Sequence, residues 1–347
     1  MGQPFIDNAT QLVVEPVFLT DEEGRPLFVP LVKATFTIGE GELVLAPKQV
    51  PASVAGEPWG KPGESSYKYE PEAVPPKLAT DVALIGHAYA PRGATEVMVA
   101  FQAGPLRKVV RVLGDRGWFK TIGSVGKTSP RPFEKIPLVW ERAFGGWDRA
   151  PEDPKQHRCE GRNPVGVGFR SSSKHFEEGL KLPNLEDPAE PLESFGQRVA
   201  PAGFGFVGYD WEPRPKLAGT YDEAWSKDRM PLLPKDFDPR FYNGAAPGLT
   251  APGLFKGGEQ VAIVNGSPRG KLAFRLPAAP PPKVRVALMG AEDATPPMAL
   301  DTVIVDTDAD QVLLLWRGRV PLADGPHDVT AIHVESAPEA PWATSSE

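Results

Sequence analysis

Three carboxylates, Glu141, Asp236 and Asp238, are the residues through which this chain would do acid–base chemistry. Two carboxylates flanking a scissile bond are the working parts of a glycoside hydrolase, one donating a proton and the other acting as base or nucleophile. Spacing along the chain says nothing of their separation in space, so a carbohydrate-active or other hydrolytic β-protein stands as the alternative reading. Other chemistry is thinner. Asp306-Thr307-Asp308-Ala309-Asp310 copies the first positions of a calcium loop, but Gln311 and Arg317 fall where such a loop needs glycine and glutamate. It reads as an acidic hairpin turn. His157 and Cys159 stand close together without two further marked ligands, and His87, His175, His327 and His333 show no ligand spacing. His87 and His333 lie in strand-like segments and read as structural. No serine sits in a Gly-x-Ser-x-Gly elbow, and Gly166-Val167-Gly168 lacks the third glycine and preceding strand of a dinucleotide site. No catalytic residue, cofactor or metal site is assigned.

A different kind of residue is concentrated in Trp140-Glu141-Arg142-Ala143-Phe144-Gly145-Gly146, in Arg162-Asn163-Pro164-Val165-Gly166-Val167-Gly168-Phe169 and in Leu182-Pro183-Asn184-Leu185-Glu186. Their glycines permit backbone paths closed to other residues, and Trp140, Phe144 and Phe169 are natural anchors to a core. Glu141 and Arg142 are neighbours, so on a strand they point to opposite faces and each needs another partner. The choices are Arg162, Arg229 or Arg240 for the acid and Glu186, Asp236 or Asp238 for the base. With Asn243, these residues form the candidate structural and partner-binding set.

The elements positioning them must be mainly β. Forty-one prolines and 35 glycines spread through 347 residues oppose long helices, whose interiors lose about 3 kcal/mol per proline and about 1 per glycine. Strands are expected at 11–19, 27–38, 43–45, 81–90, 96–102 and 106–113, the last three as an antiparallel meander. In the second, Val32, Ala34, Phe36 and Ile38 alternate with Lys33, Thr35 and Thr37, the period of a half-buried strand. The proline-rich stretch 46–76 reads as a long surface loop held by Trp59, Tyr67 and Tyr69. Further strands are expected at 136–140, 204–209, 259–264, 271–276, 284–288, 302–305, 311–316 and 329–334, with short helices at 177–180 and 221–229.

The fold class is therefore antiparallel, sandwich-like sheets at both ends around an ordered Pro/Gly-rich irregular centre, with little helix. The division is 1–113, 114–252, 253–336 and a flexible tail 337–347, the first three able to form one integrated domain. A net charge of −7 and the absence of an evident basic patch argue against nucleic acid as a partner. The first residues lack the pattern of a signal peptide, no apolar run reaches the ~20 residues that span a bilayer, and the one cysteine suits a reducing compartment. Cytoplasmic residence without membrane insertion is the expectation.

With these segments in view, the chain resembles the bacterial family called domain of unknown function 2169. Besides the three motifs, the resemblance lies in 218–222, Trp225 with Arg229, 233–238, 241–247, 256–259 and Trp316-Arg317-Gly318. Where Gly257-Gly258-Glu259 stands, an acidic residue before the glutamate would fit the pattern better. The resemblance implies a non-catalytic type VI secretion adaptor or chaperone that binds a toxic effector and helps load it onto the PAAR or VgrG spike.

Overall fold

The computed structural model describes residues 4–343. The chain is mainly β, and its longest strand, Pro26–Ile38, is the organiser. Val13–Thr20 and Gln311–Arg317 pair with it antiparallel, and Ala299–Asp306 continues the sheet. Asp81–Ile85 closes the sheet by pairing parallel with Ala299–Asp306. With Leu43–Leu45 and Val320–Pro321 joined to the long strand, this is a seven-stranded sheet.

A five-stranded sheet runs Leu185–Glu186, Leu106–Leu113, Glu96–Ala103, Gln260–Val264, Lys271–Arg275. Alternate side chains of both sheets, among them Val32, Ala34, Phe36, Leu314, Val99, Phe101, Val110, Val261 and Phe274, meet in one apolar core. Strands from the two ends of the chain share both sheets, so 1–113 and 253–336 are not separate sandwiches. Removing each large aliphatic side chain from water contributes about 1.5–3 kcal/mol. A smaller sheet pairs Phe5–Asn8 and Lys283–Leu288 with Val329–Glu335.

Several expectations need correction. Segment 81–90 is not one strand of a meander. Gly86 at φ 149° breaks it, Asp81–Ile85 enters the other sheet, and His87–Tyr89 pairs with Lys135–Pro137. Residues 204–209 and 177–180 form neither the strand nor the helix expected, and 221–229 narrows to the helix Glu223–Asp228, capped by Asp222. Lys33 and Thr35 do not face solvent. Both are fully buried, because the chain from 46 to 77 crosses the outer face of the seven-stranded sheet and covers them. Its second half is therefore interior, with Tyr69, Glu70, Glu72 and Lys77 all buried.

The irregular centre is stitched to both sheets by backbone bonds, Leu84 N–H to Phe204 O, Val82 N–H to Leu249 O and Leu113 N–H to Asn184 O. The expected loose tail packs as far as it is described: Trp342 is 1% exposed and stands against Trp316 and Phe36 at ring distances of 5.3 and 6.3 Å. Residues 344–347 lie outside the described part.

Candidate functional site: a basic cleft where three motifs meet

The first motif opens as a 3-10 turn, Trp140–Arg142, not as the strand expected. Trp140 packs edge-on to Trp211 at 6.2 Å. Phe144–Gly145 then runs parallel to Val167–Gly168 of the second motif. Asn163 is fully buried, and its Nδ2 donates to Trp140 O at 2.9 Å and Phe144 O at 3.0 Å. Its own carbonyl accepts the N–H of Gly146 at 2.8 Å. Gly146 is needed twice over: its φ is 89°, and a Cβ there would collide with Gly166 O. Pro164 occupies the turn between Asn163 and Gly166.

The third motif closes the junction. Asn184 N–H donates to Arg142 O at 2.8 Å, its Nδ2 to Leu113 O at 2.9 Å, and its Oδ1 accepts from Arg142 at 3.1 Å. Phe144 and Phe169 join Trp118, Leu182, Leu192 and Val199 in a separate apolar cluster. Behind it Glu160 holds Arg162 at 2.7 Å and Arg198 at 3.3 Å. Burial pushes the Glu160 carboxyl up, but the Arg162 hydrogen bond and charge outweigh it and hold it below the usual range.

The expected pairings fail. Glu141 accepts from Ser66 N–H at 2.7 Å and Ser66 Oγ at 2.8 Å. Arg142 bonds Asn184 and lies 3.6 Å from Asp115. Glu186 pairs instead with Arg116 at 2.6 Å. Arg229 is held by Glu23 at 2.9 Å, Asp236 accepts from Thr220, and Asp238 pairs with Arg240. Glu141 thus shares no hydrogen bond with Asp236 or Asp238, and neither lines a described cavity with it. Asp306 caps its own turn through Asp308 and Ala309 N–H, while Asp308 and Asp310 are taken by His87 and Arg269. His157 faces Pro151 O and Cys159 pairs with Trp147. Asp324, His327 and Asp328 cluster closely enough for a metal ion, but Asp328 Oδ2 already accepts Ala323, Asp324 and Gly325 N–H.

Where the motifs meet, a cleft of about 550 Å³ is lined by Glu141, Arg142, Val167 and Asn184, and also by Asp115, Arg116, Arg131 and Lys181. Arg131 and Lys181 are exposed, and neither side chain has a hydrogen-bonding or ionic partner among the described residues. Sequence reading missed this basic surface because its cations, Arg116, Arg131, Arg142 and Lys181, form no basic run in the chain and are brought together by the fold. A second cavity, about 480 Å³, is lined by Trp140, Arg162 and Lys108. Burial pushes the Lys108 ammonium down to about 8 against the pull of Asp187, and it donates to Pro247 O at 2.6 Å.

Asn243 belongs elsewhere, to a buried ionic cluster that sequence reading also missed. It donates to Asp81 Oδ1 at 3.1 Å. Asp81 pairs with Lys77 at 2.8 Å, Lys77 with Glu70, Glu72 with Lys33 at 2.7 Å, and Asp301 with Arg317. Arg214 approaches Glu70 at 3.9 Å. Burial works against the Lys77 ammonium, yet Asp81 and Glu70 outweigh it and raise its pKa above the ordinary lysine range.

These features define a class: a sandwich-like β-protein whose irregular centre is locked to its sheets and opens a cation-lined cleft where its motifs meet. More narrowly, the chain belongs to the family described as "Uncharacterized protein conserved in bacteria (DUF2169)", whose model matches residues 23–317. No curated protein and no solved structure matches it. Among the described residues no helix is long and apolar enough to cross a membrane.

Proposed function

We propose that this chain is a non-catalytic adaptor of a type VI secretion apparatus, a cytoplasmic chaperone that holds an effector and presents it to a PAAR or VgrG spike protein. One observation carries the reading. The side-chain amides of the second and third motifs hold backbone, Asn163 that of Trp140 and Phe144 and Asn184 that of Leu113, while the side chains of Arg131 and Lys181 are left without partners among the described residues along the cleft. A rigid frame with unspent charge at its edge suits recognition of another macromolecule. The three carboxylates a hydrolase would use sit in separate hydrogen-bonded groups. Co-expression with the effector and spike proteins encoded beside it, followed by affinity purification, tests the proposal. Stable co-purification with one of them is expected; purification alone from every pairing contradicts it.

A further inference from the structure

The unspent cations narrow the kind of partner. Resting on the adaptor reading, we infer that the cleft receives an acidic peptide segment of the bound protein, its carboxylates meeting Arg131, Lys181 and Arg142. The chain carries a net charge of −7, yet four cationic and two anionic side chains line this cleft. A local surplus of that sign on an acidic protein is where a negatively charged group settles. Arg116 lines the same cleft but is already engaged within the protein. Its side chain is 6% exposed and donates through one nitrogen to Pro183 O and Glu186, while its buried Nε has no acceptor.

Size and charge pattern favour a peptide over a nucleic acid. A volume of about 550 Å³ holds a few side chains and falls within the range of ordinary binding pockets. Asp115 and Glu141 interrupt the cations and would repel a continuous phosphate backbone, but they tolerate a segment whose acids alternate with neutral residues. Arg131 and Arg142 offer planar forks that fit a carboxylate through two hydrogen bonds.

Fluorescence anisotropy with a fluorescein-labelled peptide of alternating Glu and Ser tests this. The full chain is compared with Arg131→Glu/Lys181→Glu and with Arg92→Glu/Lys48→Glu, exposed positions whose reversal changes the net charge equally. The cleft variant is expected to bind about tenfold more weakly or worse, the control within about twofold, and raising the salt should weaken the wild type, as for exposed charge pairs. Circular dichroism and unfolding midpoints should match, since neither cleft residue supports the fold. No peptide binding by the wild type, equal losses in both variants, or a single-stranded oligonucleotide or inorganic phosphate displacing the peptide at equal concentration overturns the inference. Co-purification of a neighbouring effector that survives the cleft reversal sinks the acidic-segment inference and leaves the adaptor standing. Cleft-dependent peptide binding without any co-purifying partner does the reverse.

Discussion

The side-chain amide of Asn163 holds the carbonyl oxygen of Trp140 at 2.9 Å, and with its other hydrogen it holds Phe144 O at 3.0 Å. One buried asparagine therefore fixes both ends of the turn that sets Glu141 and Arg142. Asn163→Asp turns a double donor into an acceptor facing two carbonyl oxygens. It should cost about 3 kcal/mol or more, the scale of burying an unsatisfied polar or charged group. Urea unfolding reads this directly, and a loss below about 0.5 kcal/mol, the usual scatter of neutral changes, would show that the junction is not held this way.

Lys33 and Glu72 form a buried pair on the covered face of the seven-stranded sheet. Lys33→Met strands a carboxylate and should destabilise by about 3–5 kcal/mol. Lys33→Met/Glu72→Leu should recover much of that loss, because replacing a whole buried pair by apolar groups is often neutral. Additive losses in the double-mutant cycle would mean that the two charges act independently.

Acid sensitivity follows from Asp148, which is fully buried and accepts from Ser171 N–H and Oγ, Ala150 N–H and His175. Burial pushes its carboxyl up, but the Ser171 and His175 bonds outweigh it and hold it well below the usual range. A folded pKa below the unfolded value near ~3.9 gives stabilisation that is complete above that pH and fades as pH falls toward the folded pKa. The wild type should therefore lose more stability than Asp148→Asn between pH 6 and pH 3. Parallel pH profiles of the urea midpoint would contradict the assignment.

Trp342 decides whether the segment 337–343 is part of the fold. Buried against Trp316 and Phe36, it should cost about 3–5 kcal/mol on truncation to alanine. An unchanged thermal midpoint for Trp342→Ala would return the segment to the loose tail that its composition suggests.

What could be read in advance depended on range. Strands such as Leu106–Leu113, where apolar side chains recur and a Gly-Pro turn precedes them, are local signals and were legible within a residue or so. The covering of Lys33 was not, because its cause is a proline-rich segment that comes back over the strand 39 residues later to place Glu72. Thr35 in the same strand was misread for the same reason. At the site, the motif glycines and Asn163 announced an unusual backbone, and Gly145 and Gly146 do adopt positive φ. The partner of Glu141 did not show, since Ser66 lies in a segment with no motif of its own, and Arg142 is held not by a carboxylate of the expected set but by the amide of Asn184 in the third motif. Nor did the cleft show, whose cations are adjacent only after folding.

The claim that this chain works by holding another protein is tested most directly by mixing it, purified, with each effector or spike protein encoded beside it and following the mixture by size-exclusion chromatography with light scattering. A single peak with the mass of a defined complex is the predicted result. Separate elution from every candidate, at concentrations well above ~1 μM where transient interfaces already associate, would contradict it.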